Sequence, residues 1–478
     1  MRMKCLMKGF TLYFAIFACL LVGTAHAQMP STLSNTEKIY GVSKFWQEVN
    51  YNFVYLNQID RAAWDSVYKV TIERVQQTKD DYTYYHELEK MCAFLGDGHT
   101  NVYYPQAISQ QLMTTMFGTY RLFLTNFDGK AIITRVNPSK KEEVPVGSEI
   151  ITVNGMPTAA YMQQFVTPYV CSSTDYVRQN ESVYRLLRGE MGQTFVIEIK
   201  TPAGIKRTLT LTHALSDEQE VFPPFQEIGL LEHRMLPGDL QYLALNGFGD
   251  EQIDSLFHAV LPQLYQAKAL IIDLRNNGGG STNIGFDILQ YFTEDSVLYE
   301  SKNITREHMP VFKAWGAFLT PQDTMQDNQD WGMTKAEMTK AYLMAQDNYY
   351  STFPYEPTKI TITDKRIVVP TVVLFGNNTA SAAEDFLIYA DNIPHFTFMG
   401  DRSYGSTGQP YLFDLPGGGR ARICTKQDVY PDGRAFVGVG VIPDIVVKPS
   451  IEDYITNKDV VLEAAQKYLA EKLAAGKK

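Results

Sequence analysis

The sequence predicts an α/β protein in three parts: a helical N-terminal domain, a β-rich domain after it, and a larger core of alternating strands and helices. Three shifts of pattern carry this. Apolar residues recur at helical spacing over about residues 36–95, as strand-like runs over about 117–213, and in alternating strand and helix patterns past Ser216. The 478 residues are 45% hydrophobic and 20% charged, an ordinary globular balance with enough chain to bury a core without metal or disulfide staples. Acidic residues outnumber basic ones, 53 to 43, and no Lys/Arg block occurs, which argues against a nucleic-acid partner.

Residues 1–27 read as a secretory signal peptide. Arg2, Lys4 and Lys8 precede the uncharged run Gly9 to Val22, and Ala25-His26-Ala27 is a small-x-small cleavage site. The run is too short for a membrane span, so no integral span is expected after cleavage. Removing three basic residues and no acid takes the net charge of −10 to about −13. Phe17, two residues before Cys19, argues against a lipoprotein anchor at that cysteine. Of the cysteines that remain, Cys92, Cys171 and Cys424 are widely spaced, with no CxxC, and suggest neither a zinc site nor a disulfide framework. So few thiols fit an exported, periplasmic protein.

Residues 28–110 form the helical domain. Trp46, Val49 and Phe53, then Trp64, Val67, Val70, Ile72 and Val75, then Tyr82 to Phe94 mark three helices, and Gly96 and Gly98 end the last. Residues 111–215 form the β-rich domain. Ala131–Val136, Glu149–Val153, Phe195–Ile199 and Arg207–Leu211 read as strands, the last two joined by Pro202-Ala203-Gly204. The stretch from Val146 to Gly155 resembles the most recognisable part of PDZ domains, which bind an extended peptide at a sheet edge. The core, residues 216–478, starts with strand Leu240–Leu245 and helix Ile253–Leu264. Strand Leu270–Leu274, a helix over Thr282–Phe292, strand Val368–Phe375 and a helix over Ser381–Tyr389 follow, which implies parallel pairing. Residues from about 300 to 360 interrupt this rhythm as a partly helical insertion.

Two strand ends carry the candidate chemistry. In Thr379-Ala380-Ser381-Ala382-Ala383-Glu384 a buried strand turns into a helix with Ser381 at its start. There the first-turn N–H groups lack helical partners and can meet a developing negative charge. Ser381 and Glu384 also fit a Ser-x-x-Glu capping box, and the two roles can coexist. In Asp273-Leu274-Arg275-Asn276-Asn277-Gly278-Gly279-Gly280 the glycines let backbone approach a ligand. The spacing lacks GxGxxG and a Gly-Lys-Ser/Thr ending, so an oxyanion hole from Gly278 or Gly279 with Ala382 fits better than a phosphate site.

Together these segments resemble the tail-specific, or C-terminal processing, serine peptidases, including the tricorn core. Four stretches carry the likeness in the family's order: Leu95–Thr100, Asp273–Gly280, Thr379–Glu384 and Gly438–Asp444. The resemblance implies a crotonase-like core of ββα units, a serine nucleophile at Ser381 and a peptide or protein substrate, with no cofactor or metal. One branch of the family activates its serine with a lysine in a Ser-Phe-Gly-Lys-Gly segment. Here Ser403-Tyr404-Gly405-Ser406-Thr407 stands there, with Ser406 in the lysine's place, and no lysine lies between Ser381 and Lys426. The tricorn-like branch draws a histidine from the helical domain, and His99 matches it. Imidazole suits the role of general base, having an unperturbed pKa of about 6.5. His86, His258 and His395 read as structural. Gly98 replaces tricorn's serine and no carboxylate stands near Val437, which leaves Asp97 and Glu384 as possible orienting carboxylates.

The resulting expectation is an exported serine peptidase that forms an acyl-enzyme on Ser381 with His99 as base. Its rival is a catalytically inactive binder of peptides or hydrophobic ligands on the same fold. A crotonase-like enzyme acting on thioesters is a third reading, against which the signal peptide and PDZ-like stretch count.

Overall fold

The computed structural model describes residues 32–475. The expected leader, residues 1–27 with Cys19, lies outside the described residues. Three α-helices open the described residues, each begun by a side chain that takes up orphan N–H groups. Ser34 and Glu37 form a capping box on Asn35–Asn52, Asp60 caps Arg61–Val75, and Asp80 caps Asp81–Ala93. Beyond the third helix Gly96 adopts φ +62° and the chain runs through His99 into the short strand Asn101–Tyr103.

That strand leaves the helical unit. It pairs antiparallel with Arg420–Cys424, which pairs in turn with Pro410–Asp414. The apolar cluster around Phe45, Trp64 and Leu88 is accordingly closed by Phe413, Leu415, Ala421 and Ile423 from the far end of the chain. Helical periodicity reveals the first half of this cluster and is silent on the second.

The β-rich region is an antiparallel sheet ordered Lys206–Thr212, Thr194–Lys200, Glu149–Val153, Lys130–Val136, Tyr120–Phe127, Met116–Phe117, with Met156–Pro157 paired to Glu149–Val153. Thr194–Lys200 and Lys206–Thr212 form the hairpin that their sequence signals. Two helices, Thr158–Phe165 and Asp175–Tyr184, depart from the strand-only reading. Tyr161, Met162 and Val183 seat them on the sheet's apolar face.

The third unit is built on a six-stranded sheet ordered Leu231–Leu236, Leu240–Leu245, Ala269–Asp273, Thr371–Phe375, Phe396–Gly400, Ile445–Val446. The first pair is antiparallel and the others parallel. Side chains alternate across it as strand geometry requires. Leu243, Leu270, Ile272 and Val373 join the cluster under helices Gln252–Leu264, Thr282–Leu289 and Ala382–Ala390. Tyr242, Ile271, Val372 and Leu374 face the C-terminal helix Val460–Ala475, inserted by Val461, Ala465 and Leu469. The fourth strand begins at Thr371 rather than Val368, because Pro370 has no N–H to donate; its carbonyl still accepts from Leu270 N–H.

The insertion combines helices Pro310–Gly316 and Lys335–Ala345 with strands Lys302–Arg306 and Tyr350–Thr352. Among the described residues no helix is long and apolar enough to cross a membrane.

Candidate active site

Ser381 sits where the fourth strand turns into a helix. Thr379 is fully buried in that turn, its hydroxyl donating to Leu274 O (2.8 Å) and accepting from Gly376 N–H (3.1 Å). Ala380 N–H donates to Asn277 O at 3.1 Å. These bonds tie the serine turn to the glycine turn at the end of the neighbouring strand. Ser381 itself is held at φ +55°, ψ −125°. Such a conformation costs a residue with a Cβ roughly 1–3 kcal/mol and persists only where its surroundings impose it. Glu384 supplies its half of the capping box, accepting Ser381 N–H at Oε2 (3.2 Å), while Glu384 N–H donates to the main-chain carbonyl of Ser381 (2.7 Å).

The glycine turn lies directly against the serine. A Cβ on Gly279 (φ +99°) would fall 2.7 Å from Ala380 O, 2.8 Å from Ser381 Cβ and 3.0 Å from Ala382 N, so only glycine fits. Asn277, fully buried, organises the turn: its Nδ2 donates to Leu245 O and its Oδ1 accepts Gly279 N–H, both at 2.9 Å. Gly279 N–H is therefore committed. The N–H groups of Gly278 and Ala382 have no acceptor among the described residues, and they are the donors available to an oxyanion beside Ser381.

His99 arrives from the helical unit. Gly98 allows the close approach, since a Cβ there would lie 3.0 Å from both Ser406 Oγ and the Tyr404 ring. His99 Nδ1 is 2.7 Å from Ser406 Oγ. Ser406 is fully buried; its carbonyl accepts Ser381 N–H (3.3 Å) and its N–H donates to Glu384 Oε2 (3.2 Å). The imidazole and the serine turn thus share one residue, although no hydrogen bond joins His99 to the Ser381 hydroxyl among the described residues. The lysine's place in the resembling branch is taken by a hydroxyl that holds the histidine, a relation the sequence does not signal.

The two carboxylates weighed as orienting groups do other work. Asp97 accepts from the Thr100 hydroxyl (2.5 Å), the Ser173 hydroxyl (3.1 Å) and the His99 main-chain N–H. Gly98 N–H adds a 2.9 Å bond to Ser173 Oγ. These contacts shape the loop rather than touch the imidazole, and Ser173, from the β-rich region, carries no sequence signal. Glu384 receives the Ser403 hydroxyl (2.5 Å) and Gly405 N–H (2.7 Å) besides Ser381 and Ser406. The Gly438–Asp444 tail docks on the same loop through Val441 N–H to Ser403 Oγ, 2.7 Å. His86 bonds to Glu89 and Tyr104, and His258 to Asp254 O and Tyr291.

Burial, then the charges of Arg422 and Lys426, push the His99 pKa down to about 4, so the ring is neutral at pH 7. Burial pushes the Glu384 carboxyl up to about 8, against the pull of its four hydrogen bonds. Lys426 is partly buried, which works against its charge, but Asp428, at 3.0 Å, and Asp385 raise it above the ordinary lysine value. Held as an ammonium, it is not a base.

Residues 239–447, the span holding the glycine turn, Ser381 and the Gly438–Asp444 tail, match the family model for peptidase family S41. Over this segment the chain is similar to peptidase family S41. The chain is 22% identical over 283 residues to a carboxy-terminal-processing protease of Bartonella bacilliformis, covering 57% of this chain and 54% of that one. It is 21% identical over 392 residues to a carboxyl-terminal-processing protease of Picosynechococcus sp., covering 80% of this chain and 77% of that one. The chain thus spans about half the length of the first of these S41-like relatives and three quarters of the second. The crystal structure of mature CPAF superposes with a TM-score of 0.60 at 14% identity, over 92% of this chain and 96% of that chain, which shows a shared fold.

Proposed function

We propose that this chain is an exported serine peptidase that cleaves peptide bonds through an acyl-enzyme on Ser381, with His99 as general base. The observation that carries the proposal is the convergence of three distant segments around one strained serine: the glycine turn packs against Ser381, the Ser403–Ser406 loop accepts its N–H, and the histidine loop reaches that loop through His99 Nδ1 and Ser406 Oγ. With Nδ1–H donating to Ser406 Oγ, the imidazole lone pair falls on Nε2, the nitrogen that would take the Ser381 proton and return it to the leaving amine. The N–H groups of Gly278 and Ala382 would receive the oxyanion of the tetrahedral intermediate. Neutrality of His99 at pH 7 supports the base role, because a charged ring has no lone pair to offer.

In this reading residues 28–110, 111–215 and 216–478 are a helical domain, a PDZ-like domain and a crotonase-like core. Helices on parallel strands support the last. An antiparallel sheet with two helices, turning at Asn154-Gly155 (φ +50° and +77°), supports the second. The relatives' names point to processing near protein C-termini as the substrate class. Export rests on the signal-like residues 1–27.

The deciding experiment is labelling of the purified protein with a fluorophosphonate serine probe. Wild type should label and Ser381→Ala should not, while its circular dichroism stays unchanged. Equal labelling of the two would remove Ser381 from the mechanism, and a wild type that neither labels nor cleaves peptides would favour the inactive-binder reading.

A further inference from the structure

Two of the three described cysteines meet. Cys92 lies in the last turn of helix Asp81–Ala93, and Cys171 in the segment that leads to helix Asp175–Tyr184. They are 79 positions apart, both are buried, and their sulfurs are 3.4 Å from each other. Cys424 does not share this site: its thiol faces the carbonyls of Lys426 (3.2 Å) and Thr407 (3.7 Å). We infer that Cys92 and Cys171 are a disulfide site that staples the histidine loop to the β-rich unit.

The position gives the bond a purpose. Two residues after Cys171, Ser173 bonds the Asp97 carboxylate and Gly98 N–H, the contacts that shape the loop before His99. A covalent link at Cys92–Cys171 closes a short circuit with those hydrogen bonds. It holds both sides of the loop's support together wherever the helical and β-rich units strain apart. The sulfurs need to approach only to about 2.05 Å, a small side-chain movement. The pair links different units, so sequence spacing alone could not reveal it.

The reaction is thiol–disulfide exchange with a small disulfide such as oxidised glutathione. The first cysteine, as thiolate, attacks the oxidant and releases one glutathione thiolate. The second attacks the mixed disulfide and releases the other, so two protein thiols lose their protons and two glutathione thiols form. Burial raises the Cys92 thiol well above its ordinary pKa, so exchange belongs to folding, before the interior closes.

The test is to refold the full chain in a mixture of oxidised and reduced glutathione, and separately in excess reductant. Each sample is then alkylated under denaturing conditions and digested without reduction. The oxidised sample should show the Cys92 and Cys171 peptides as one linked species, about two mass units lighter than their reduced sum, with Cys424 alkylated. The reduced sample should show all three alkylated. Alkylation of both Cys92 and Cys171 in the oxidised sample, or a link from either to Cys424, would overturn the site. Hydrogen exchange over residues 95–101 should be slower in the oxidised protein; equal rates in the two states would overturn the stapling of the loop.

Discussion

At the scale of single residues, the proposed base, His99, is governed by its surroundings more than by its chemistry. An ordinary imidazole would lose function on acidification at about pH 6.5. In its buried site His99 stays neutral down to about pH 4. The acid limb of kcat/KM should therefore lie well below pH 6, and a profile that halves near pH 6.5 would exclude this ring as the base in this setting. Arg422 is one cause of the depression, so Arg422→Gln should move the acid limb upward with little loss at its plateau. His99→Ala should lose most activity across the whole range. Ser406→Ala removes the partner of His99 Nδ1, and loss of one orienting hydrogen bond should cost about tenfold in kcat. The loss should spare KM and be accompanied by a shifted acid limb, whereas a merely structural serine would leave that limb where it is.

At the scale of elements, what was readable in the sequence was local. The strand that ends at Asp273, the glycine turn, and the strand–turn–helix around Ser381 are contiguous stretches whose periodicity and turn residues speak for themselves. The proposed oxyanion donors were narrowed only by structure, since the commitment of Gly279 N–H to Asn277 depends on a side chain folding back over its own turn. The helices Thr158–Phe165 and Asp175–Tyr184 were hidden because, at 8 and 10 residues, each is too short for a helical period to stand out from the strands around it. The His99–Ser406 pairing joins residues 307 positions apart, beyond the reach of any spacing rule. The glycine turn yields a further prediction. Gly279→Ala places a methyl within 3.0 Å of three atoms at a φ of +99°, which should displace the turn from Ser381. Its stability loss should exceed about 1 kcal/mol by urea titration. Probe labelling should fall far more than that loss explains; a variant with wild-type labelling would show that the close approach is dispensable.

At the scale of the whole molecule, the histidine-bearing unit is held from two sides. Toward the β-rich region, the buried Glu89 pairs with Arg185 (3.1 Å) and Arg188 (3.3 Å) and bonds to His86 and Tyr104. Burial would raise the Glu89 pKa, but the His86 hydrogen bond, the two arginines and Tyr104 outweigh it and hold the carboxyl down, from 4.5 to about 2. The folded state thus favours the charged form, and this contribution is complete above pH 4.5 and drains away as pH falls toward 2. Glu89→Gln leaves two arginines without their anion and should cost about 3–5 kcal/mol at pH 7, with much less penalty in urea titrations near pH 3. An equal penalty at both pH values would show that the pairing is not electrostatic.

On its other side the unit depends on strand Arg420–Cys424, which pairs with Asn101–Tyr103 and carries the apolar side chains that finish the helical cluster. During synthesis the histidine emerges early and its docking strand more than 300 positions later. A nascent chain consequently has a serine turn, a glycine turn and a histidine, yet lacks the strand that docks the last beside the first two until residues 420–424 have left the ribosome. If His99 is the base proposed above, catalytic competence waits on that late strand, and a peptidase in transit is kept harmless by the order in which its parts are made.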